Sequence, residues 1–436
     1  MKRAYELYLY LIKWHPAFPA NRLTYSTVIS HAFRDHTTKK NVQNSLSDLY
    51  QWAADFLIWQ KSTRAGLQKE LAWLDILRER RLNHEYQLRA SRIDKKLEQT
   101  RATDAQAHLD RLFFHHHVWS QQAEERYRPR EESLRRAMDQ LEQFYLISKM
   151  TYGTELLNRE QIYSEAMEHQ ELEELSLKAE QYKGHLPLDI CRMLYQLVKE
   201  GKEETYLSLK KLLVKRGSVL SKATNSILFQ HLINFTAGKI REQESQYYHE
   251  AFELFDFALQ AGILTDGQYL SSNTFQNIAT IALRLHKTDW ASSFVDQFSR
   301  YIQPKSMYLT TCYVRALIAF NTGDHQSDWF RKLQEIKLSN PFIAIRVKTL
   351  IIRNMYEAKE ERGLLLLFNA AFRKYLSRNK QVKGAIYQSA VNFSNCFRKL
   401  VNRRVSRSDF IEEVKNSTHI HFGGWLLTKA SDLNED

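Results

Sequence analysis

Glycine and proline are scarce. Together they number 19 of 436 residues, about 4% against a usual share of about 12%. That shortage excludes folds built from many tight turns or Gly-rich loops: sandwiches, propellers, dinucleotide-binding α/β sheets and collagen-like chains. Cysteine is nearly absent too. Cys191, Cys312 and Cys396 lie more than 80 residues apart with no Cys-x-x-Cys, which predicts buried small side chains in a reducing compartment rather than a disulfide framework. Long apolar runs are missing: the longest strongly apolar stretch is Leu364 to Phe368, far below the roughly 18–20 residues of a membrane span. The start, Met1-Lys2-Arg3 and then Ala4 to Ile12, has the outline of a signal peptide. Glu6 and three tyrosines interrupt it, and no small-residue cleavage site precedes Pro16 and Pro19, so it reads as an ordinary first helix. The expectation is a soluble, cytoplasmic protein with no membrane partner.

What is present is a normal complement for a packed chain, 43% hydrophobic and 26% charged, which argues against disorder. The net charge of +13 is placed unevenly. From Arg331 to Arg407 there are 18 Lys or Arg and four acids, a net +14, whereas residues 151–200 hold five basic and ten acidic residues. Such asymmetry bears on partners rather than on fold.

Punctuation organises the chain. Only Gly66 and Gly153 fall in the first 183 residues, so long helices are expected there. Residues 1–60 read as three helices, broken at His15-Pro16 and near Asp35 to Thr38, with Leu46, Leu49, Tyr50, Ala53, Phe56 and Leu57 as a buried stripe on the third. Residues 67–100 read as one long helix, and 105–126 and 131–158 as two more hinged at Arg128-Pro129-Arg130. From Gly184 onward, breakers recur at steps of mostly 16–24 residues: Gly184, Gly201, Gly217, Gly238, Gly262, Pro304, Gly323, Pro341, Gly363 and Gly384. One helix and a turn fit each step, and two steps make a helix hairpin of repeat size.

Side chains carry the same period. Tyr248 to Gln260 places Ala251, Phe252, Leu254, Phe255, Ala258 and Leu259 on one stripe. Phe275 to Leu285 does so with Phe275, Ile278, Ala279, Ala282 and Leu283, and Trp290 to Ile302 with Ala291, Phe294, Val295, Phe298 and Ile302. Small residues in these stripes let helices approach, and Phe and Leu fill the space between them.

The spacing Ala251-x3-Phe255-x2-Ala258 resembles the second helix of tetratricopeptide repeats, and Ala291-x3-Val295 repeats it more weakly. Lys287-Thr288-Asp289-Trp290 and Asn321-Thr322-Gly323-Asp324, 35 residues apart, resemble the turns between helices. The similarity spans about residues 245–340, lacks the first-helix W-x2-L-G-x2-Y element, and keeps the closing proline only as Pro304 and Pro341. Through Trp14-His15-Pro16-Ala17-Phe18 and Phe144-Tyr145-Leu146-Ile147-Ser148-Lys149 the chain is also loosely similar to all-helical proteins of unassigned function from Bacteroidota, which implies no activity. The expected architecture is all-α: a three-helix segment (1–60), a long-helix bundle (61–160), a right-handed α-solenoid (161–410) and a C-terminal helix and tail (411–436).

Chemistry-bearing motifs are few. His115-His116-His117 cannot face one ion, because consecutive helical residues diverge by about 100°. Asp104 and His108 stand at i, i+4 without a third ligand, and His419 and His421 lack one too, on an extended segment. Glu165, Glu168, Glu171, Glu173 and Glu174 read as a solvated helix face, and Gly423-Gly424 as a hinge or helix start. P-loop, G-x-G-x-x-G and G-x-S-x-G patterns do not occur. No catalytic residue, metal ligand or cofactor is expected, and an enzyme is not. The most specific signal is the acid-free run from Arg362 to Arg407. Arg373, Lys374, Arg378, Lys380, Lys383, Arg398, Lys399, Arg403 and Arg404 within it are the candidate residues for an anionic partner. Its aromatics, Phe368, Phe372, Tyr375, Tyr387, Phe393 and Phe397, fall at helical spacing and read as core rather than base-stacking platforms. The leading expectation is a scaffold or adaptor that binds a protein or peptide on a helical array. The alternative is a nucleic-acid-binding repeat protein that uses the basic C-terminal repeats.

Overall fold

A computed structural model describes residues 2–15, 18–33, 38–64, 66–99, 104–124, 131–163, 170–265, 269–338, 340–379, 384–403 and 405–433. Pro16, the Arg128-Pro129-Arg130 hinge, Glu165 and Glu168 lie outside them, as do Lys380, Lys383 and Arg404. The described residues form 21 α-helices and no strand, and helix makes up 83% of the structure. The one β-type contact among them is a single bridge between Leu270 and Ile302. The chain divides into two compact units, Met1–Tyr195 and Gln196–Asp436.

The first unit holds three small cores. Helices α1 (Lys2–Ile12), α2 (Tyr25–Ala32) and α3 (Lys39–Arg64) enclose Leu7, Tyr10, Val28, Phe33 and Val42. Thr24 starts α2 by accepting the N–H of Thr27. The expected stripe on α3 is corrected here. Leu49 is half-buried, but Leu46, Tyr50, Ala53, Phe56 and Leu57 are exposed. The reason is length: at about 1.5 Å per residue α3 runs about 39 Å and α1 about 16 Å, so α1 covers only the first half of α3.

The single helix expected over 67–100 is two, α4 (Gly66–Glu79) and α5 (Asn83–Gln99). Arg81 adopts a left-handed φ of 56°, and the N–H groups of Arg81 and Leu82 donate back to the carbonyls of Arg78 and Leu77. This is a Schellman closure made without glycine. The reversal brings Leu74 and Leu77 against Tyr86, Ala90 and Ile93, with Phe114 of α6 (Ala105–Glu124) closing the core. Burial of those side chains outweighs the cost of a non-glycine residue in that conformation.

Helix α7 (Glu131–Tyr163) packs along α6, and α8 (Gln170–Ala179) crosses α7 where Gly153 stands. A Cβ on Gly153 would lie 2.2 Å from the Leu172 Cδ2, so the missing side chain is what lets α8 approach. Leu146, Ile147, Met150, Leu172, Leu175 and Ala179 then form a core with Leu188, Cys191 and Tyr195 of α9 (Leu186–Glu200).

The second unit is a succession of helices. Its members are α10 (Glu203–Arg216), α11 (Lys222–Arg241), α12 (Tyr247–Gln260), α13 (Ser272–Arg284), α14 (Thr288–Phe298), α15 (Pro304–Thr322) and α16 (Asp328–Glu335). They continue through α17 (Pro341–Glu357), α18 (Arg362–Arg378), α19 (Gly384–Asn402), α20 (Arg407–Asn416) and α21 (Gly423–Lys429). Each packs on the next from α10 to α19, and α21 packs on both α19 and α20. Helix α15 also touches both α13 and α17, its next-but-one neighbours. Pro304 and Pro341 begin α15 and α17, Ser221, Ser271, Asn340 and Ser406 cap helix starts, and Gly323 ends α15 at φ 78°. Gly238 departs from the expected punctuation. It sits inside α11, where a continuous hydrogen-bonded helix tolerates one glycine at a cost of about 1 kcal/mol.

Ala251, Ala258, Ala279 and Ala291 are fully buried, with Phe255, Phe275 and Phe294 between helices and Phe298 half-buried. Phe275 and Phe294 pack with ring centres 4.5 Å apart, and Trp290 stacks on Phe294 at 5.4 Å. At the C-terminal end, α21 docks on α17. Trp425 Nε1 and Lys429 Nζ both donate to the Glu357 carboxylate at 2.7 Å. Arg353 of α17 is buried beneath this contact, its guanidinium 4.3 Å from the Phe320 ring centre and 3.8 Å from that of Phe422. Gly423 is accordingly a helix start.

Candidate partner-binding groove and basic surface

Helices α18 and α19 carry most of the acid-free run, and their pairing register decides where its charges go. Asn369 Nδ2 donates to the Ser394 carbonyl at 2.9 Å, and Ser394 Oγ donates to Asn369 Oδ1 at 2.7 Å. Nearer the other end, Arg362 Nη2 reaches the Asn402 carbonyl at 3.3 Å and its Oδ1 at 3.0 Å. The helices are therefore antiparallel, with 369 level with 394. Arg373, Lys374 and Arg378 stand towards one end of the hairpin, and Arg398, Lys399 and Arg403 towards the other. From the helical rise, Arg378 and Arg403 are separated by about 27 Å along the axis, beyond a Debye length of about 10 Å.

The two groups differ in chemistry as well. Arg373, Lys374 and Arg378 are exposed and make no ion pair among the described residues. Lys399 is engaged, its ammonium 2.7 and 2.6 Å from the two Glu413 carboxylate oxygens. Arg398 is exposed. Arg403, with φ 51°, lines a cavity of about 680 Å³ in which Lys359, Arg362 and Lys429 face Glu357, Glu360 and Asp432. That cavity is of mixed charge. Within the acid-free run Lys399 is thus neutralised by an acid from outside it, and Arg403 shares a cavity with acids from elsewhere in the sequence.

The aromatics of the run divide likewise. Phe372, Phe393 and Phe397 are buried core. Phe368 and Tyr375 are half-buried and line an open groove of about 440 Å³ between α16, α17 and α18. The rest of the lining is mostly apolar: Leu333, Ile336, Leu338, Val347, Ile351, Ile352 and Ala371. Lys348 is the charged residue in the wall. Its ammonium lies 5.2 Å from the Tyr375 ring centre, and burial holds its pKa below the usual lysine value. Lys337 stands exposed between the lining residues Ile336 and Leu338, and Arg378 lies one turn beyond Tyr375. The nearby acids are already taken. Asp328 pairs with Arg331 and Lys332, and Glu335 with Arg331. Lys337 and Lys348 were not among the sequence candidates, because both precede the acid-free run and only the folding of α17 against α18 brings Lys348 to Tyr375.

The histidines scatter. His115 lies beside Phe114, His116 against Trp119, and His117 stacks on Tyr86. Asp104 does not pair with His108. Its carboxylate accepts the N–H of Ala107 at the start of α6, while His108 meets His185 at 4.9 Å between ring centres and hydrogen-bonds Gln140. His419 is exposed and His421 half-buried. Among the described residues no group of three His, Cys, Asp or Glu gathers as a metal site requires. All three cysteines are buried, and burial pushes the thiols of Cys191 and Cys396 up to about 11.

Comparison of the chain with protein-family models, curated proteins and solved structures finds no match.

Proposed function

We propose that the chain is a non-enzymatic helical-repeat scaffold or adaptor whose C-terminal unit holds a segment of a protein partner. The observation that carries this reading is the groove between α16, α17 and α18. It is open and apolar, Lys348 lines it, and Lys337 and Arg378 adjoin its lining residues along the chain, all three with no ion pair among the described residues. An apolar floor with uncompensated cations at its edge matches a segment that carries bulky apolar anchors beside Asp or Glu. The contacts of α15 with both α13 and α17, together with the buried alanines of α12 to α14, support a tetratricopeptide-like stacking of helix pairs, and such arrays bind without chemistry.

The test is fluorescence anisotropy with the full chain at about 0.15 M salt, where unspecific charge attraction is screened. The probes are a short peptide of Leu and Phe among Glu and Asp, the same peptide with Lys for each acid, and a generic single-stranded RNA. The first should bind and the second should not, with the first lost on Lys348→Glu. RNA that binds at this salt, and more tightly than the acidic peptide, would replace this reading with the nucleic-acid alternative.

A further inference from the structure

From Leu46 to Ile58, α3 presents apolar side chains that its own unit leaves uncovered. Tyr50 is 77% exposed, Leu57 60% and Ile58 66%, with Leu46, Trp52 and Phe56 also exposed. Phe56, Leu57 and Ile58 are consecutive, so at about 100° per residue they point in three directions. Asn44, Ser47, Asp48, Gln51 and Asp55 form one narrow polar side, and a helix whose remaining surface is apolar belongs against a partner. Between Leu46 and Ile58 the only charges are Asp48 and Asp55.

A second apolar surface lies on α1. Ala4, Leu7 and Tyr10 face the core shared with α3, whereas Tyr5, Tyr8, Leu9 and Ile12 are exposed at i, i+3, i+4 and i+7 on the opposite side. This face is flanked by the exposed Lys2, Arg3 and Lys13, with Glu6 the one acid. Over 46–58 the rod thus carries two acids and no base, with Lys61 and Arg64 following at the end of α3, and the α1 face carries three bases and one acid.

We propose that a second copy of this chain covers both surfaces, the α3 rod of each protomer resting on the outer face of α1 of the other. One chain cannot satisfy itself, because the inner side of its α1 already rests on the first half of its own α3. A two-fold axis satisfies both protomers at once and closes the assembly. The area agrees. At roughly 150–250 Å² for a large aromatic side chain, the exposed residues present on the order of 1,000 Å² per chain. A stable interface needs about 800 Å² from each partner, and a monomer rarely exposes a patch above about 600 Å². A lipid surface fits less well, since the polar face of the rod, Ser47, Asp48, Gln51 and Asp55, carries acids and no Lys or Arg.

The experiment is sedimentation equilibrium of the full chain up to about 100 µM, a range that resolves micromolar dissociation constants. Wild type should be a dimer. The Phe56→Glu, Ile58→Glu double variant should weaken dimerisation by about tenfold or more, with unchanged far-UV circular dichroism. Leu9→Glu, on a different helix, should do the same, so a misfolded rod variant would not decide the matter. A monomeric wild type would overturn the proposal. So would a dimer that survives Leu9→Glu, or a monomer that co-sediments with phosphatidylserine vesicles through these residues.

Discussion

Gly153→Ala sets two effects of known size against each other. In the interior of α7, alanine is favoured over glycine by about 1 kcal/mol on helix propensity alone. The new methyl, however, would meet Leu172 at 2.2 Å from Cδ2, 3.0 Å from Cγ and 3.1 Å from Cδ1. Leu172 belongs to the core of Leu146, Ile147, Met150 and Leu175, so its displacement disturbs packed neighbours. Overpacking of a filled core costs about 1–3 kcal/mol. The variant should therefore be destabilised by up to about 2 kcal/mol, despite its better helix former. Leu172→Ala alone should cost about 2–5 kcal/mol through the cavity it leaves. In the double variant the methyl added at position 153 enters that cavity, so the combined loss should fall short of the sum by about 1 kcal/mol or more. Native-state hydrogen exchange on α7 and α8 reads this locally, which matters in a chain of two units where a global midpoint mixes transitions. Gly153→Ala that slows exchange, or strict additivity with Leu172→Ala, would refute the close approach of α8 to α7.

Three further outcomes are expected. Burial, partly offset by the hydrogen bond to Gln140, lowers the His108 pKa to about 4, and His185 beside it is lowered by burial as well. Both favour the neutral ring in the folded state, so their stability is full above about 6.5 and is lost as pH falls towards about 4, on the order of 2–3 kcal/mol for His108. Urea midpoints between pH 7 and 4 should show this slope, and His108→Gln should flatten it. Ala279→Leu should overpack α13 and lower stability by about 1–3 kcal/mol, whereas an unchanged urea midpoint would mean slack at that contact. Arg353→Met should be neutral within about 1 kcal/mol, because an apolar chain replaces a buried cation among aromatic rings at little net cost. Arg353→Ala should lose about 2–5 kcal/mol, and thermal denaturation compares the two.

The sequence by itself determined the helical class and the phase of α12, α13 and α14. Helix period and glycine or proline punctuation are local properties, and the buried faces of Ala251, Ala279 and Phe294 follow from spacing alone. The tertiary structure alone decided the rest. The α4–α5 reversal has no glycine or proline to announce it, because contact between Leu77 and Tyr86, not backbone preference, holds Arg81 in its turn. The apolar stripe of α3 reads as core in any window, yet it is exposed because α1 is too short to cover it. The charge run looks continuous along the chain, but the antiparallel register of α18 and α19 splits it, Glu413 neutralises Lys399, and Lys348 arrives from outside it. Whether a side chain is a core residue, a paired charge or a free one depends on what lies opposite, and that is fixed by contacts between residues far apart in the chain.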